Sequence, residues 1–205
     1  NSLNSSQIQG IETADLVAIS TSTLAQLSTD KISQLRTEQV AAFTSAQIKA
    51  LTSAQLKNLT SDQLQSLTST EINAIGSNQI QFLGTDELRL FSTMQIQSLA
   101  TSAFANLTTD QIVQLNSAQF EGLSTAHIKA LNSSQLNVLS EQQLKTFTSL
   151  DIAALSTNNI QNLKTEQLVR FSGDQIAALT VGQAKALTTL QLSSLDEFQL
   201  ARVST

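Results

Sequence analysis

The sequence predicts an all-α fold: an α-solenoid of about 25 short helices, one for each unit of an eight-residue repeat, with two repeats to a layer. Three observations predict it. Apolar residues recur every eight positions from Leu3 onward without an insertion or deletion. Helix-capping residues stand at a fixed place in every unit, and charges of opposite sign separate within it.

Let the unit run from a to h, with a at Leu3, Ile11, Ile19, Leu27 and so on to Val203. All 26 a positions are Leu, Ile, Phe or Val, and all 25 f positions, from Ile8 to Leu200, are apolar, with Ala184 the smallest. Position b is Ser, Thr, Asn, Asp or Gly in 22 of 26 copies, the residues that favour a helix N-cap. Position e is Gln in 16 of 25, three residues after b, so b and e form a capping box, as in Thr44 with Gln47 and Thr60 with Gln63. The a residue then sits just before the cap and f one turn inside the helix, the spacing of a hydrophobic staple. All three signals place a helix start at c and its end near the next a.

Charge supplies an independent check, because acids favour the first turn of a helix and bases the last. Fifteen of the 16 acids occupy b to e, Glu121 being the exception, and eight of the 11 bases occupy g or h. One long helix would not sort its charges every eight residues. It would also turn its apolar stripe by about 80° per unit, which removes the coiled coil. The Ala, Leu, Gln and Lys content and the six glycines weigh against a β-solenoid.

Helices of six or seven residues do not hold alone, because nucleation is costly. Positions a and f must therefore be buried against neighbouring units, which makes a solenoid with nearest-neighbour contacts. Ile fills f in 8 of 12 even-numbered octads and 3 of 13 odd ones, and Phe43, Phe91 and Phe171 occupy even a positions, with Phe147 the exception. This alternation predicts two octads, 16 residues, per layer and a rod on the order of 110 Å; three octads per coil would give about 75 Å. The chain reads as one array over residues 1–205, a piece of a longer one, since neither end carries a polar capping unit. Val181, Gly182 and Ala184 make octad 23 the weakest copy. It is expected to fray first, and hydrogen exchange as slow there as in the adjacent octads would refute this.

Composition removes most functions. The absence of cysteine excludes disulfides and thiolate sites, and the single histidine, His127, occupies an e position as a cap substitute. A net charge of −5 with scattered bases argues against nucleic acid, and no apolar run is long enough to enter a membrane. The adjacent acids Asp86-Glu87 and Asp196-Glu197 fall in predicted first turns, where the helix dipole accounts for them. Phosphate-binding, dinucleotide and calcium-loop motifs are missing. No catalytic, cofactor-binding or metal-ligating residue is assigned, no cofactor is implied, and the reading is not an enzyme. Phe82 at h and Phe198 at d fall outside the apolar positions and are expected as surface or interlayer contacts. Hydroxyls at c, such as Thr101, Thr109, Ser117 and Thr125, are expected to serve as small first-turn residues. Stacked e glutamines are expected to add interlayer hydrogen bonds.

The unit Leu-Thr/Ser-Ser/Thr-x-Gln-Ile/Leu-x-x, clean at Leu51-Thr52-Ser53-Ala54-Gln55-Leu56-Lys57-Asn58, resembles the octapeptide repeat regions of large secreted bacterial surface and adhesin-like proteins. That resemblance implies an extracellular or cell-surface spacer or stalk. The opening Leu-Thr-x-x-Gln also looks like the first half of a TAL-effector repeat, but the eight-residue period and negative charge carry over only the helix cap. The alternative reading is a binding module that presents one face to protein, glycan or ice through a Ser/Thr ladder. Weak charge also leaves side-by-side or end-to-end self-association open.

Overall fold

The computed structural model describes residues 4–203 and falls into two compact units that meet in sequence at Leu107 and Thr108. Leu3, the first a position, and Ser204-Thr205 lie outside the described residues. The first unit holds α1 (Ser5–Gln9), α2 (Thr13–Ala18), α3 (Thr21–Ala25), α4 (Thr29–Ser33), α5 (Thr37–Val40), α6 (Ser45–Ala50), α7 (Ser53–Lys57), α8 (Ser61–Ser66), α9 (Ser69–Ala74), α10 (Ser77–Ile80), α11 (Thr85–Leu90), α12 (Thr93–Ser98) and α13 (Thr101–Phe104). The second holds α14 (Thr109–Gln114), α15 (Ser117–Glu121), α16 (Thr125–Ala130), α17 (Ser133–Leu136), α18 (Glu141–Lys145), α19 (Ser149–Ala154), α20 (Thr157–Gln161), α21 (Thr165–Leu168), α22 (Gly173–Ala177), α23 (Val181–Ala186), α24 (Thr189–Ser194) and α25 (Glu197–Leu200).

Every one of these helices starts at position c, as the capping pattern predicts. In α6 the Thr44 hydroxyl accepts from Gln47 N–H at 3.2 Å, and Gln47 Oε1 accepts from Thr44 N–H at 2.9 Å. Two extended residues, a and b, make each corner. Leu67, which closes α8, has φ −64° and ψ 128°, and Thr68, which caps α9, has φ −76° and ψ 170°. The same pair recurs wherever a helix runs to six residues, as at Leu115 with Asn116 and Leu155 with Ser156.

Helices three apart stack. In the first unit α3, α6, α9 and α12 form one column, α4, α7, α10 and α13 a second, and α2, α5, α8 and α11 a third. In the second unit α14, α17, α20 and α23 form a column, as do α16, α19, α22 and α25, while α15 stacks on α18 and α21 on α24. Each coil therefore contains three octads, 24 residues, and the expected two-octad layer is incorrect. The physical reason lies in the corner. A two-octad layer needs the chain to reverse at every corner. Two extended residues turn less than a reversal, and three such turns bring the chain back over itself.

The core runs up the middle of each unit. The f residues Leu24, Ile32, Val40, Ile48, Leu56, Leu64, Ile72 and Ile80 are fully buried, and the a residues Leu51, Leu67, Leu83 and Leu99 nearly so. Burial of each such aliphatic side chain contributes about 1.5–3 kcal/mol. Counted by threes, Ile holds six of the nine f positions in the column positions of α1, α4, α7 and their successors through α25. The alternation by twos, 8 of 12, is just as marked, so Ile at f does not report the size of the coil. Phe120 and Phe147, both buried, stack with ring centroids 6.3 Å apart.

Candidate functional site

Short helices have a hydrogen-bonding problem that long ones do not. Each helix leaves four N–H groups and four carbonyls without an internal partner. In helices of four to six residues nearly every backbone group is such an orphan. Burying them unpaired would cost about 1–3 kcal/mol each. The glutamine at e addresses both ends together.

Its Oε1 accepts from the b N–H of its own octad, and its Nε2 donates downward to the coil before. Gln47 Nε2 lies 2.7 Å from Leu16 O, 3.4 Å from Val17 O and 3.0 Å from Ile19 O. Those carbonyls form the corner between α2 and α3, and α3 is the helix on which α6 stacks. Gln63 repeats the pattern on Ile32, Ser33 and Leu35, and Gln191 on Ile160, Gln161 and Leu163. The offsets of 31, 30 and 28 residues recur from Gln39 to Gln191. Gln39, Gln47, Gln55 and Gln63 are at most 2% exposed. One buried side chain thus caps the start of one helix and the end of another, one coil away. The expected interlayer glutamine bonds are present, and their acceptors are backbone carbonyls.

The ladder has interruptions. At Glu71 the carboxylate Oε2 accepts from Thr68 N–H at 2.8 Å and from the Thr68 hydroxyl, so the cap survives. An ionised carboxylate brings no N–H to the coil below. Glu71→Gln is therefore expected to raise stability by about 1 kcal/mol. An unchanged urea midpoint would show that the missing donor is immaterial. Asn159 is short but keeps one bond, to Leu131 O at 2.8 Å. The sequence reading missed the carboxylates at e, although the signal was visible as acid where the repeat calls for an amide.

The other residues singled out from sequence remain apart. His127 is 5% exposed, and its Nδ1 lies 2.7 Å from the Ser124 hydroxyl and 3.3 Å from Ser124 N, the cap role expected for it. Asp86 and Glu87 fall in the first turn of α11, while Asp196 caps α25 by accepting from Gln199 N–H at 2.7 Å. Phe82 is 57% exposed. Phe198 is 60% exposed and lies against Gly173, where an added Cβ would come within 2.2 Å of its ring. The Arg202 guanidinium sits 4.6 Å above that ring and bonds Asp174 at 3.0 Å. On α18, Lys145 pairs with Glu141 at 2.6 Å. The hydrogen bond and charge of Lys145 hold the Glu141 carboxyl below its ordinary range. That small stabilisation is present above the ordinary carboxylate pKa and is lost as pH falls through the lowered value.

Among the described residues no three His, Cys, Asp or Glu side chains gather as a metal cluster, and no helix is long and apolar enough to cross a membrane. The surface depressions are shallow. One of about 410 Å³ between α6, α9 and α12 is lined by Ser45, Lys49, Ser69, Thr70, Asn73 and Ser98. It brings a single charged group among hydroxyls and amides. The hydroxyls at c are partly used by the fold itself: Ser53 donates to Asn78 O at 3.1 Å and Ser77 to Ser102 O at 3.0 Å, each in the next coil.

Regular stacking of helix on third helix, with one polar side chain stitching successive coils, defines a tandem-repeat α-solenoid. The model of the ALTTAQ repeat matches residues 8–45, 41–69, 112–149 and 147–181, about two thirds of the chain. This chain belongs to the ALTTAQ repeat family. The hexad Ala50-Leu51-Thr52-Ser53-Ala54-Gln55 spans positions h to e, from the end of one helix across the corner to the ladder glutamine. Among curated proteins none matches the chain.

Proposed function

We propose that the array is a non-enzymatic spacer or stalk in an extracellular bacterial surface protein. The observation that carries this reading is the ladder. The polar side chain that recurs most regularly is buried and occupied with backbone groups of the neighbouring coil, so it serves extension of the array and is withheld from a ligand. Each coil needs only the coil beside it, and length is then adjustable by whole coils without redesign of a core.

The test is surface labelling of intact producing cells with an antibody raised against the folded chain. Labelling without lysis is the expected result; a signal that appears only after lysis would sink the reading. The alternative, a face that binds protein, glycan or ice, predicts saturable glycan-array signals or thermal hysteresis. The Ser53 and Ser77 bonds to the next coil favour the spacer over that alternative.

A further inference from the structure

Asp151 stands at e of α19, where the ladder puts glutamine. Its Oδ2 accepts from Thr148 N–H at 2.9 Å and from the Thr148 hydroxyl at 2.7 Å. Its Oδ1 is buried and has no hydrogen-bond partner, in a residue only 6% exposed. The helix α19 stacks on α16. The ladder offsets of 31, 30 and 28 residues therefore set this side chain over the carbonyls of Phe120, Glu121 and Leu123, the corner that leads from α15 into α16. At a glutamine this is the place of the amide nitrogen. Aspartate supplies no N–H and is one methylene shorter, so the same place is bounded by oxygen atoms.

We propose that this corner binds a monovalent cation, held by Asp151 Oδ1 and the backbone oxygens of Phe120 and Leu123. Charge argues for a cation. Carbonyls at a helix C-terminus carry the negative end of the dipole, and the carboxylate adds a full charge. A buried unpaired carboxylate oxygen is costly, and a neutral water leaves its charge uncompensated. A single carboxylate matches a single positive charge. Rings of backbone carbonyls are the ligands that replace the hydration shell of potassium.

The experiment is urea unfolding of the full chain at fixed ionic strength in potassium chloride against choline chloride, with carbonyl ¹³C shifts followed in parallel. Potassium at ten times its Kd is expected to lower the unfolding constant about tenfold. The Phe120 and Leu123 carbonyl shifts should move saturably. In Asp151→Gln, where the ladder amide fills the corner, both responses should vanish. Equal stability in the two salts with static carbonyl shifts would overturn the site, leaving water there, and so would an undiminished response in Asp151→Gln. If the variant does not fold, the carbonyl titration of the unaltered chain decides alone.

Discussion

Gln63→Met is expected to lower the stability of the chain by about 3 kcal/mol. The substitution keeps the length and flexibility of the side chain, so little of the loss is packing. What goes is one acceptor and one donor. Thr60 N–H loses Gln63 Oε1 at 2.8 Å, and the carbonyls of Ile32 and Leu35 lose the amide at 3.1 and 2.6 Å. Gln63 is 1% exposed, so water does not replace these bonds. Gln7→Met is the matched comparison. Gln7 occupies the same octad position, yet it is exposed, and its Oε1 accepts from Asn4 N–H at 2.9 Å. Its loss should cost below about 1 kcal/mol, the usual value of a single cap. Urea midpoints at constant m decide. Equal losses at the two positions would show that only the local cap matters and that the bonds between coils contribute nothing.

This comparison also marks what the sequence made legible. Helix starts could be read to the residue, because Thr44, Thr60 and Gln47 act within one octad and caps are local chemistry. The buried set could be read too, since a and f are apolar in every copy. The number of octads per coil could not be read from that pattern. It repeats each octad and would be satisfied by two or by three. The decision lies in the corner dihedrals of residues such as Leu67 and Thr68, which side-chain type does not report. A threefold trace does exist in the acids: Glu38, Asp62 and Asp86 share position d on α5, α8 and α11, each 24 residues from the next. Half of the ladder was legible for the same reason. The acceptor side of Gln47 pairs with its own octad, whereas its donor side meets backbone carbonyls that carry no sequence signature. Asp151 shows the consequence. Its identity reads as an ordinary first-turn acid, and only the coil register sets it against a carbonyl corner.

Ile72→Ala is expected to cost about 3 kcal/mol, within the range for truncating a buried Leu or Ile. Ile72 is fully buried at f of α9, and α9 stacks between α6 and α12. Removing the side chain opens a void with helices on both sides, and the short helices have little slack to close it. Tight corners fix each helix end, and the Gln79 and Gln95 amides hold the adjoining corners at Ile48 and Leu64. Leu200→Ala at the same octad position should cost well under about 1 kcal/mol, because Leu200 is already 49% exposed. The contrast tests the nearest-coil account of stability, since octad identity is equal and only the stacking differs. Hydrogen exchange should add the spatial answer. In Ile72→Ala the amides of α6, α9 and α12 should lose protection, while those of α2 and α3 keep theirs. Uniform loss of protection across the first unit would mean that it unfolds as one body, and the coil would no longer be the unit of stability.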